Sequence, residues 1–145
     1  MDHTKADLKA RREMAGLTQL DLAKALGVDI RSVKRWEQPD NGYPTAPQDA
    51  WDIIDGALAV QRQAVALAVA KVQEIEDAQG RAPEEVDLTY YRTQADYDAF
   101  GRDPGPVGVA DATARAVAAE LEAAGYHVRF RYPQEGATRT PGSRY

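Results

Sequence analysis

Residues 17–37 read LTQLDLAKALGVDIRSVKRWE, and this stretch decides how the chain folds. Thr18 can cap a helix start, with Asp21 three residues on as a shortened capping-box partner. Leu22, Ala23 and Leu26 recur at helical spacing, and Gly27 supplies the stop. Asp29 can then cap a second helix through Ile30, Arg31, Ser32, Val33, Lys34, Arg35 and Trp36. A short helix, a glycine turn and a second helix with basic residues on one face is the layout that sets a helix into the DNA major groove.

Working outward, a first helix is expected over about Lys5 to Met14, burying Leu8. Turn formers crowd Gln38-Pro39-Asp40-Asn41-Gly42-Tyr43-Pro44, which reads as a loop. Pro47 opens a long helix whose apolar residues, among them Trp51, Ile54, Leu58, Val65, Val69 and Val72, keep helical spacing to about Ala78. Gly80 and Pro83 close it. Alternation of Val86, Leu88 and Tyr90 marks a short strand. Thr93 caps a short helix reaching about Phe100, a further helix runs from about Val107 to Ala124, and Tyr126, Val128, Phe130 and Tyr132 alternate as a final strand. Economy assigns those aromatics to the core face and leaves His127, Arg129 and Arg131 solvated.

The expected class is therefore α+β and mostly helical. It comprises a helix-turn-helix bundle over residues 1–46, a connecting helix over 47–80, a β-α-α-β lobe over 81–133 and a disordered tail over 134–145. Two short strands are too little sheet for independent stability, and pairing with a second copy would remedy that.

Composition narrows the function. The chain has 145 residues and no cysteine, which removes disulfides and thiolate metal sites, and two histidines make a histidine metal site unpromising. No run approaches the length of an uninterrupted apolar span, so a cytoplasmic protein with no membrane segment is expected. Net charge is −5, but residues 1–38 carry +2 and the remainder −7. Local charge sets the field at a phosphate backbone, and the positive balance belongs to the helix-turn-helix segment. Acidic groups such as Glu74, Glu76 and Asp77 have no histidine or cysteine near them in sequence, and the loop from Gly101 lacks the lysine of a phosphate-binding loop. No enzyme activity and no cofactor is expected.

Arg12, Gly16-Leu17-Thr18-Gln19, Leu22-Ala23, Leu26-Gly27, Ser32-Val33 and Trp36-Glu37 resemble the helix-turn-helix of phage Cro and repressor proteins (Xre-like). That resemblance implies that Gln19 binds a phosphate, that Ile30, Arg31 and Ser32 face base edges, and that Lys34 and Arg35 meet bases or phosphates. The chemistry agrees. Arginine offers guanine a bidentate fork, lysine offers phosphate a point charge, and Ile30 suits a thymine methyl. The resemblance also implies that Arg12 pairs with Glu37 as scaffold, with Val33 and Trp36 as core anchors. The order of the whole chain, and LTYYRTQADYDAF at 88–100 in particular, resembles anti-CRISPR-associated repressors and their YdiL-like relatives. This implies an autorepressor that dimerises through its C-terminal part and binds double-stranded DNA at an inverted repeat. Two other readings stay open: RNA binding by the basic-aromatic final strand, and an antitoxin-type regulator.

Overall fold

The computed structural model describes residues 3–39 and 41–136. Its order is α1 (Lys5–Ala15), α2 (Gln19–Leu26), α3 (Ile30–Glu37), α4 (Gln48–Gln79), β1 (Val86–Thr89), α5 (Gln94–Phe100), α6 (Val107–Ala123) and β2 (Val128–Arg131), closed by a 3-10 turn at Pro133–Glu135. Contacts divide the chain into two compact units, Met1–Val60 and Gln61–Tyr145, with the boundary inside α4.

In the first unit the helix limits follow local chemistry. Thr4 and Thr18 each accept from the backbone N–H three residues on, while Asp7 and Asp21 return a carboxylate to the capping residue's own N–H. Each box satisfies two donors that a helix start leaves orphaned. Gly16 and Gly27 end α1 and α2 at φ of 81° and 68°, in the left-handed region that disfavours a side chain. Asp29 caps α3 by accepting from Arg31 N at 2.8 Å. Both α1 and α2 pack on α3. Leu8, Leu22, Val33, Ala50 and Ile54 are fully buried, and Trp51 nearly so. Trp36, expected as a core anchor, is only half-buried. Pro47 precedes α4 rather than opening it, and its carbonyl accepts from Ala50 N.

The second unit has its own core, built from Ala68 and Val72 of α4, Leu88 of β1, and Val117, Ala118 and Leu121 of α6, with Val86, Tyr126 and Val128 packed against it. The two strands are parallel and in register, Val86 with Val128 through Thr89 with Arg131. A parallel pair requires a crossover, which α5 and α6 provide. Helix α6 packs on both strands and buries Leu88, so the sheet is covered in part within one copy.

Two expectations for β2 need correction. Phe130 and Tyr132 are exposed, at 43% and 38%. The parallel register sets Phe130 opposite Leu88, and its ring meets Tyr90 edge-on at 5.5 Å. Arg129 and Arg131 are not simply solvated. Glu85 lies 2.8 Å from Arg129 and 3.6 Å from Arg131, and Asp87 accepts from Arg131 Nε at 3.0 Å. The expected tail begins too early, since 134 and 135 belong to the 3-10 turn and Gly136 follows it. Residues 137–145 of that expectation lie outside the described residues.

By length and composition α4 is long and apolar enough to cross a membrane, with a mean hydropathy of 1.4 in its most apolar window. A single such helix is weak evidence of a span, and this one contributes to two cores, with Trp51, Ile54 and Leu58 buried in the first unit and Val72 in the second. It carries Asp49, Asp52 and Asp55 near its start as well.

Candidate nucleic-acid interface

A buried ionic brace fixes α3 against the rest of the first unit. Arg12 Nε donates to Glu37 Oε2 at 2.6 Å and Nη2 to Oε1 at 3.0 Å, with side-chain exposures of 9% and 5%. The third arm, Nη1, donates to the Leu17 carbonyl at 2.8 Å, where the chain turns into α2. One guanidinium thus ties the end of α1, the α1–α2 corner and the end of α3. A planar fork suits this role in a way a lysine could not.

Gln19 joins the same cluster. It is the first residue of α2, and its Nε2 donates to Glu37 Oε1 at 3.2 Å. That bond uses one amide hydrogen and holds the side chain against Glu37.

The other sequence-expected residues lie on α3. Arg31, Lys34 and Arg35 are exposed at positions i, i+3 and i+4, which puts them on one face. Ile30 and Ser32 sit in the first turn and are half-buried, while Val33 on the opposite side is fully buried. Arg31 Nε lies 3.2 Å from Asp29 Oδ1. Asp29 also accepts the Arg31 backbone N–H, and these two bonds hold its carboxyl below its ordinary range. The same bond from the side chain raises Arg31 further above neutrality. Both groups are exposed, so the pair contributes little to stability.

Three residues at the end of α3 were not singled out by sequence. Lys5 Nζ donates to the Arg35 carbonyl at 3.0 Å and to Asn41 Oδ1 at 2.8 Å. Asn41 Nδ2 donates to the same carbonyl at 2.9 Å, and Tyr43 N donates to Asn41 Oδ1 at 3.0 Å. The Arg35 guanidinium lies over the Tyr43 ring, 5.3 Å from its centroid. The only sequence signal was an asparagine among turn formers, a residue type that often bonds backbone nearby. Lys5, thirty positions from Arg35, carried no signal.

Residues 8–38 match a family model described as helix-turn-helix, HTH_3. The match covers α1 from Leu8, all of α2 and α3, and one residue beyond. No curated protein matches the chain significantly. The matched segment, about a fifth of the chain, is similar to helix-turn-helix domains of the Xre/Cro type.

Proposed function

We propose that the chain is a sequence-specific transcriptional repressor that binds an inverted-repeat operator as a homodimer and controls its own operon. The observation that carries this reading is the exposed basic face of Arg31, Lys34 and Arg35 on a helix braced from behind by Arg12 and Glu37. Such a helix presents its first turn to base edges, so Ile30, Arg31 and Ser32 are the base-facing set. Lys34, Arg35 and Gln19 serve register and phosphate contact. Gln19 can do so by exchanging its bond to Glu37 for one to DNA.

A single helix-turn-helix reads few base pairs, and two copies related by a twofold axis would place half-sites about 34 Å apart. Leu67, Phe130 and Tyr132 in the second unit are exposed apolar side chains, which favours a role for that unit in pairing. RNA is less well supported, because Glu85 and Asp87 already engage Arg129 and Arg131. A cytoplasmic location follows from the DNA target. The narrower assignment, an anti-CRISPR-type operon, rests on the likeness of residues 88–100 alone.

Selection of duplex sites from a random library by the full chain tests this function. The expected product is a symmetric sequence with two half-sites one turn apart. Enrichment of a single asymmetric site would overturn the dimeric mode, and no enrichment would overturn sequence-specific binding. Fusion of the chain's own promoter to a reporter tests autoregulation, for which expression must fall when the protein is supplied.

A further inference from the structure

Arg35 is held differently from the other two cations of its face. It belongs to the last turn of α3, and its guanidinium is drawn over Tyr43, a residue of the loop beyond the helix. At 5.3 Å from the ring centroid this is a cation–π contact. The ring is in turn anchored. Tyr43 N is fixed to Asn41 Oδ1, and Asn41 Nδ2 is fixed to the Arg35 carbonyl. Lys5 Nζ ties both acceptors together from α1. Its ammonium also sits at the negative end of α3, where a cation is favoured. Side chain and main chain of Arg35 are therefore both tied to one short loop.

That geometry bears on what Arg35 can touch. Base edges are met by the first turn of a recognition helix, whereas Arg35 lies more than a turn further on and leans toward the following loop. With Cζ held over the ring, the N–H groups that do not face it are left to bond phosphate oxygens. A surface arginine held in one orientation also loses less freedom on binding. Resting on the DNA-binding reading above, we infer that Tyr43 is a positioning residue for Arg35, and that the stacked pair grips a DNA phosphate rather than a base.

The test titrates the full chain against a labelled random-sequence duplex of roughly two helical turns and against a selected site, between about 50 and 200 mM salt. Arg35→Ala is expected to weaken binding equally on both duplexes and to flatten the log–log salt dependence by about 0.9 per bound protomer, or about 1.8 for a dimer. Tyr43→Leu is expected to weaken binding roughly two- to fivefold, while Tyr43→Phe keeps wild-type affinity. In an Arg35→Ala background, Tyr43→Leu adds no further loss. Tyr43 is more than half exposed, so these variants should fold, and circular dichroism melts verify it. An equal loss from Tyr43→Leu with and without Arg35 overturns the positioning role. A loss from Arg35→Ala confined to the selected site overturns the phosphate assignment. A wild-type chain that binds neither duplex at low salt overturns the DNA-binding reading itself.

Discussion

Arg12 and Glu37 form a buried bidentate pair with three hydrogen bonds from one guanidinium, and removing either partner strands a charge. Arg12→Ala is expected to cost about 3–5 kcal/mol in urea unfolding, while replacing both partners by apolar residues of similar size should cost much less. A second buried charge lies in the other unit. Asp111 Oδ1 accepts from Tyr91 N at 2.9 Å, and burial pushes its carboxyl above the ordinary 3.8 despite that bond and the field of Arg115. The folded chain therefore holds this proton more tightly than the unfolded chain. Stability contributed by the protonated form is complete below about 3.8 and is lost as pH rises through the folded value. Asp111→Asn keeps an oxygen for Tyr91 N and cannot ionise. Thermal melts should place it at or above wild type near neutral pH, with that part of the pH dependence gone. A lower melting temperature with an unchanged pH profile would contradict this account. At this scale the sequence showed which residues were candidates. It could not show that Gln19 is bonded to Glu37, which depends on how α2 packs on α3, or that Arg35 rests on Tyr43, which depends on loop geometry.

Among the elements, the two helices of the motif were legible because their limits are set by residues a few positions apart. Thr18 with Asp21, Gly27 and Asp29 act where the sequence places them. Gly27 separates conformational from packing cost cleanly, since a methyl group there would meet nothing within 4 Å while φ stays at +68°. Gly27→Ala should thus destabilise by roughly 1–2 kcal/mol through backbone strain alone, measurable as a shift in the denaturation midpoint. Thr18→Ala should cost about 1 kcal/mol by loss of the cap. For β2 the alternating pattern located the strand but misjudged its faces. Alternation says that neighbours point to opposite sides, and register with a distant partner says how far along the covered side extends. Phe130 lies opposite the buried Leu88 yet remains exposed.

For the molecule as a whole, residues 1–38, which hold the helix-turn-helix, carry +2 while the rest of the chain carries −7. DNA affinity should accordingly fall steeply with salt even though the net charge is −5. Sedimentation of the full chain is expected to report a dimer, and a monomer at concentrations that saturate a selected site would argue against the twofold mode. The sequence by itself determined the helix-turn-helix, its stops and caps, and the exposed basic face, because each depends on chemistry within one or two helical turns. Only the tertiary structure decided that β1 and β2 run parallel, that carboxylates claim Arg129 and Arg131, and that Lys5 and Asn41 hold the end of α3. Those contacts join residues far apart in the chain, and what brings them together is burial of each unit's own core, which no local pattern encodes.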